Sequence, residues 1–161
     1  MDLQLRRLSE IDPAEIIELM NHRLVRRHMP LAEGDFGPEQ CAAFVAGKEA
    51  LWRDHGYGPW AFLVGGEFAG WGGLQPEDDG EVDVAMVLHP RFWGHGKRIY
   101  ERILDYAFEE LGFHSVIVLL PPTRGGAHGI VRLGFRYDGE TTLWSKRFLR
   151  YRLRAAARQR F

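Results

Sequence analysis

Cysteine is almost missing from this 161-residue chain, with Cys41 the single example. An intrachain disulfide is therefore excluded, and a reducing, cytoplasmic setting is the expectation. Long apolar runs are missing too. The opening "MDLQLRRLSEIDPAEII" holds no stretch fit for a signal peptide or a membrane span, so neither is expected. Net charge is nearly absent, −1 with histidines neutral, which argues against a polyanion-binding protein as a whole. There is no internal repeat and no low-complexity linker, so residues 1–161 are expected to form one domain. What is there is ordinary for a globular chain: 45% hydrophobic and 27% charged residues. The charge is unevenly placed. From Trp144 to Phe161 there are seven Lys/Arg and no Asp/Glu, which makes a basic C-terminal segment whose last part, about 155–161, is expected to be loosely tied.

Hydrophobic periodicity predicts the elements. "LQLRRL" alternates as a first strand. Asp12-Pro13 opens a helix with an apolar stripe of Ile16, Ile17, Met20 and Leu24, because Asp caps well and Pro is tolerated in the first turn. "PEQCAAFVAGKEALWRDHG" reads as a second amphipathic helix. Cys41, Phe44, Val45, Lys48, Leu51 and Trp52 share one of its faces, so Cys41 is read as a core residue rather than a nucleophile. "PWAFLVGGEFAGWGGL" predicts a hairpin turning at Gly65-Gly66, and "EVDVAMVLHP" a third strand of that group. "GKRIYERILDYAFEELGF" predicts a long helix closed by Gly112. "HSVIVLLPP" reads as a buried strand, "GGAHGIVRL" as a short, glycine-weakened helix, and "GFRYDGE" and "RFLRYRL" as two final strands. In "RFLRYRL" the alternation of arginine with apolar residues predicts an edge strand protected by charge. The order β-α-α-β-β-β-α-β-α-β-β predicts an α/β domain on a mixed sheet.

The stretch "RFWGHGKR", residues 91–98, carries the chemistry. A phosphate-binding loop of the Walker type needs glycine where Arg91 stands and Ser or Thr where Arg98 stands. A dinucleotide fingerprint needs a third glycine where Ile99 stands. A metal site needs more ligands than His95 and His89, so no metal is expected. Two readings remain open from the residues alone. One is a solvated basic turn. The other is an anion site, in which the unpaired first amides of a long helix face a phosphate, Gly94 and Gly96 permit close approach, and Arg91, Lys97 and Arg98 add charge.

"VLHPRFWGHGKRIYERILDYAFEELGF" resembles the coenzyme A signature of the GNAT (Gcn5-related N-acetyltransferase) superfamily. The pattern Gln/Arg-x-x-Gly-x-Gly/Ala is met by Arg91, Gly94 and Gly96. The aromatic-Trp-Gly at 92–94, "GYGPWAFLV", "FAGWGGL", "DYAFEELGF" and "RLGFRYDGE" are similar, at matching spacing, to the ribosomal-protein N-terminal acetyltransferase branch. This resemblance, over roughly residues 3–153, implies a single-domain GNAT fold whose central strands, Val82–His89 and Val116–Leu120, splay apart around acetyl-CoA. It implies a pantetheine arm along Met86, Val87 and Leu88, and a pyrophosphate on Gly94, His95, Gly96, Lys97 and Arg98 beside Arg91. Thr123 would stand at the family's asparagine position.

The sequence departs from the family where an acid is usual. The tyrosine position is Ile130, the serine position of the ribosomal branch is Gly126, and a basic carboxylate used by some members falls at Val118. His128 lies between the first two positions on another helical face. Asp83, aligned with an acid common near the start of the central strand, is the remaining candidate general base. An amine is mostly protonated at neutral pH and must lose a proton before it attacks a thioester. The alternative for Asp83 is a structural carboxylate paired with an arginine. The resemblance implies transfer of an acetyl group to a primary amine, either a protein N-terminus or a small molecule, by direct attack in a ternary complex. The acceptor would enter over the first two helices and the loop "HMPLAEGDFGPEQ". Its acids Glu33 and Asp35 could attract a cation, whereas "PEDDGE" reads as a hairpin turn. Trp60, Trp71 and Trp93 read as core or wall residues. No membrane partner is expected, nucleic acid is a minor alternative motivated by the basic tail, and a homodimer is compatible with the pattern. A non-catalytic acyl-CoA-binding module is the other alternative, motivated by Ile130, Gly126 and Val118.

Overall fold

A computed structural model describes residues 2–27, 29, 34–122 and 127–158. The first strand, β1 (Leu3–Arg6), leads through a short turn into α1 (Pro13–Asn21) and a single-turn α2 (Arg23–Arg26). Asp12 caps α1 as its sequence demands, its carboxylate accepting from the Ala14 amide at 3.0 Å. The longest helix, α3 (Pro38–His55), follows, with Pro38 in its first turn. Strands β2 (Pro59–Val64), β3 (Glu67–Pro76) and β4 (Val82–Leu88) form an antiparallel meander. A 3-10 segment (Pro90–His95) feeds α4 (Gly96–Asp105), which widens into a π turn at Tyr106–Glu110. The chain closes with β5 (Ser115–Leu120), α5 (Ala127–Arg132), β6 (Arg136–Leu143) and β7 (Lys146–Arg154).

All seven strands join one mixed sheet in the order β1-β2-β3-β4-β5-β7-β6. Each face has its own core. On one face Phe62, Val84 and Val118 pack with Ile99, Ile103 and Leu104 of α4 and with Ile130 of α5. On the other, Ala61 and Trp71 pack with Ile16, Leu19 and Met20 of α1 and Cys41 of α3. Cys41 is 1% exposed, and burial pushes its thiol above the usual range, in keeping with a core role. Every large apolar side chain placed here contributes about 1.5–3 kcal/mol by leaving water.

The sheet is pressed together where β3 is glycine-rich. A Cβ on Gly72 would come within 2.3 Å of the Ala85 carbonyl oxygen, so only glycine lets β4 approach so closely.

Two expectations fail at the C-terminus. The strand in "RFLRYRL" is not an edge: β7 lies between β5 and β6, and β6 is the outer strand. Alternation of arginine with apolar residues is satisfied there by ion pairs instead of by solvent. Arg152 meets Glu81 at 2.7 Å and Asp138 at 2.9 Å, and Arg150 meets Asp138 at 3.2 Å. Burial pushes the Asp138 carboxyl up, but Arg152 and Arg150 outweigh it and hold the group below its ordinary range. The tail is also tied down as far as it is described. Ala155–Ala157 form a helical turn, and Arg158, its side chain 6% exposed, pairs with Asp105 at 2.7 Å and donates to the Glu101 carbonyl at 3.1 Å. Arg150, Arg152 and Arg158 thus serve the fold.

Candidate active site

The site begins with a ladder that stops. β4 and β5 run parallel, and among the described residues they share one registered pair, Asp83 with Ile117. Beyond it β4 keeps its partner β3 through Leu88 and β5 keeps β7 on its far edge, but no further pair joins β4 to β5 among the described residues, so a gap opens between the two strands. Backbone groups alternate along an antiparallel strand. The His89 amide donates to Ala69 on β3 at 2.8 Å, which places His89, Val87, Ala85 and Asp83 in the set whose main chain serves β3. Met86 and Leu88 then turn their main chain to the gap. Val87, expected to contact a ligand there, spends its backbone on β3 and supports the gap from behind. The Leu88 carbonyl accepts from the Trp93 indole N–H at 2.9 Å, so Trp93 forms a wall at the mouth and is half exposed.

At one end of the gap the chain turns into α4. Gly96 has φ −57° and ψ −45°, which any residue adopts, and a Cβ there would meet nothing closer than a Leu88 methyl at 3.9 Å. A Cβ on Gly94 would meet nothing within 4 Å. Neither glycine is required by the protein's own packing. What they keep open is the outside approach to the first amides of a helix, which suits a bulky anion. Lys97 and Arg98 are exposed on this turn, and His95 is half-buried with its ring 6.0 Å from that of Phe92. Arg91 turns the other way, its guanidinium 2.9 Å from Glu67 of β3. It lines a cavity of about 490 Å³ with Glu15, Glu18 and His89 on the α1 side. The Arg91–Glu67 pair is exposed on both sides and therefore weak. Among the described residues no group of three His, Cys, Asp or Glu could hold a metal ion.

At the other end stands Asp83. Part of its surface reaches solvent, yet its carboxyl lies deep among protein groups. Burial first, and then Glu77, push it up to about 8; Lys48 and a hydrogen bond from the Leu119 amide of β5 act the other way. The carboxyl therefore bridges from β4 to β5 where the ladder ends. No arginine pairs with it among the described residues, which removes the structural ion pair considered from sequence. Directly across β3 sits Gln75, whose side chain holds the Lys48 ammonium. Lys48 also lies over the rings of Trp71 and Phe44, at 5.0 and 5.5 Å. Burial pushes Lys48 down, against the pull of Asp83 and Glu77. Sequence reasoning placed Lys48 on the inner face of α3 but missed its partnership with Asp83, since nothing local joins positions 48, 75, 77 and 83.

Several expected positions fall elsewhere. Ile130 and Val118 are core residues at 4% and 2% exposure. His128 is exposed on α5, and Asp35 is exposed. "PEDDGE" is a tight turn, closed by Glu77 and Glu81 and by the Glu81 amide on Asp79. Thr123, Gly126 and Glu33 lie outside the described residues.

A seven-stranded mixed sheet whose central parallel pair splays beside a glycine turn is an acyltransferase architecture, and residues 2–123 match the family described as "Acetyltransferase (GNAT) domain". The chain belongs to that family. An FsC-acetyl coenzyme A-N(2)-transacetylase of Aspergillus fumigatus is 36% identical over a segment covering 38% of this chain and 31% of that protein, so the likeness spans about a third of the relative's length. An acetyltransferase from Agrobacterium tumefaciens C58 superposes with a TM-score of 0.77 at 21% identity, covering 94% of this chain and 90% of that one. An aminoglycoside acetyltransferase AAC(6')-Ib, solved in complex with coenzyme A, superposes with a TM-score of 0.73 at 15% identity, covering 97% of both chains. Among the described residues no helix is long and apolar enough to cross a membrane.

Proposed function

We propose that this protein is an acetyl-CoA-dependent N-acetyltransferase that acetylates a primary amine within the β4–β5 gap. The observation that carries the reading is the gap itself, with Met86 and Leu88 main chain on one wall, an unobstructed glycine turn at one end and a basic-range carboxyl at the other. Acetyl-CoA supplies an acyl group activated as a thioester. Met86 and Leu88 would hold its pantetheine arm as an added strand, with Val87 bracing them. The amides and side chains of Gly94, His95, Gly96, Lys97 and Arg98 would hold its pyrophosphate, with Arg91 in reserve. Asp83 would take the proton from the incoming ammonium. A carboxyl titrating near 8 is well matched to that task, because the base must be strong enough to accept the proton and still be available near neutral pH. Positioning in a ternary complex and main-chain donors toward the thioester oxygen supply the rest, so no covalent intermediate is required.

The motifs shared with the ribosomal-protein branch support a free amino terminus or a small amine as acceptor, and the lone buried cysteine supports a cytoplasmic setting. The test is release of free thiol from acetyl-CoA against a panel of short peptides with free amino termini, aliphatic monoamines, diamines and aminoglycosides. Turnover with any of them supports an N-acetyltransferase. Tight coenzyme A binding with no turnover across the panel would favour a non-catalytic acyl-CoA-binding module, in keeping with Ile130 and Val118 lying in the core.

A further inference from the structure

We propose that Lys48 is a positioning residue of the transfer site, an internal ammonium held between Gln75, Trp71 and Phe44 that acts through the carboxyl group of Asp83. Four observations join. Lys48 lies half-buried on the inner face of α3, where a lysine is costly unless its charge has partners. Its head group is fixed on the Gln75 side chain, and Gln75 is the residue registered directly opposite Asp83. Two aromatic faces complete the enclosure. Its charge reaches both Asp83 and Glu77.

The groups facing the Asp83 carboxyl come from three elements, β3, α3 and β5. Glu77 from the end of β3 repels its charged form. Lys48 from α3 and the Leu119 amide from β5 favour that form, and Gln75 of β3 is neutral. Burial and Glu77 already outweigh the favourable pair, so Asp83 is protonated for much of the neutral range. Removing the ammonium leaves the opposing influences in place and raises the titration further. Asp83 would then be an acid at every pH where a cell works, and of no use as a base. Lys48 thus keeps two crowded carboxyls from sharing protons permanently, without touching the acceptor or the acyl group.

This rests on Asp83 serving as the base, and the experiment separates the two claims. The Asp83 carboxyl is followed by 13C NMR across pH in wild type, Lys48→Met, Lys48→Gln and Lys48→Arg. Acetyl transfer to benzylamine and to a glycyl peptide is measured alongside. The neutral variants are expected to move the Asp83 midpoint upward by about one unit or more, as loss of a close opposite charge does. They should lower kcat/KM at pH 7 about tenfold, with recovery at higher pH. Lys48→Arg should restore most of both. A merely structural lysine would change the melting temperature and leave the midpoint alone. A midpoint unmoved in folded Lys48→Met and Lys48→Gln overturns the role of Lys48 whatever Asp83 does. A shifted midpoint, together with wild-type transfer by Asp83→Asn, overturns Asp83 as base and any action of Lys48 through it.

Discussion

The two ends of the β4–β5 gap are built from different materials. The glycine turn uses main chain: helix amides, two positions with no Cβ, and exposed cations around them. The acid end uses side chains from three elements, Lys48, Glu77 and Asp83, packed in a region where burial sets their protonation. An anion held by main chain needs little from side-chain identity, because helix amides are present whatever the sequence. Proton transfer needs a particular group at a particular acidity, and that depends on every neighbour. The first end should tolerate side-chain loss and fail on side-chain gain. The second should do the reverse.

Asp83→Asn tests that contrast most severely. It keeps shape and cannot accept a proton, so kcat/KM for the best amine is expected to fall about 10²–10⁴-fold while coenzyme A affinity holds. In wild type kcat/KM should climb with pH up to about 8 as the Asp83 carboxyl ionises, and that dependence should weaken in the variant. Transfer at wild-type rate by Asp83→Asn would erase the distinction between the two ends.

Gly96→Val tests the other end. Its backbone is helical and its Cβ has room, so the fold should survive with a cost of at most about 1 kcal/mol. The rise in melting temperature on adding coenzyme A, which follows from binding to the native state alone, should vanish. An undiminished rise would show that a phosphate does not rest on this turn. Lys97→Ala, by contrast, should weaken the shift without removing it.

Much of this was legible in the sequence because its causes are local. Asp12-Pro13 announces α1, and Gly65-Gly66 the hairpin. Asp83 was legible as a candidate, but its acidity was not, since that arises from Glu77, Lys48 and Leu119 meeting across the sheet. The same limit explains the errors at the C-terminus. An Arg/apolar alternation fits both an exposed edge and an internal strand whose arginines find carboxylates. Only the placement of Asp138 and Glu81 beside β7 decides between them.

Smaller effects follow outside the gap. Removing residues 155–161 deletes Arg158 with its pair to Asp105 and its bond to Glu101, and should cost about 1–3 kcal/mol, read as a lower melting temperature. An unchanged melting temperature would mean that the tail is idle. The subtlest effect is a stability gain. Asp83 titrates higher folded than unfolded, so the folded state binds the extra proton, and stability is lost as pH rises from about 4 toward 8. Asp83→Asn removes that loss. Its melting temperature should exceed wild type at pH 8 and approach it at pH 4, a trade of stability for function. A variant less stable than wild type at pH 8 would mark Asp83 as a structural carboxylate.

The central claim is tested most directly by a crystal structure of the wild-type protein grown with coenzyme A. The account predicts the pantetheine arm lying in the gap against the main chain of Met86 and Leu88, the pyrophosphate on the amides between Gly94 and Arg98, and the thiol near the Asp83 carboxyl. Coenzyme A bound elsewhere, or a gap closed by β5 with the cofactor excluded, would contradict it.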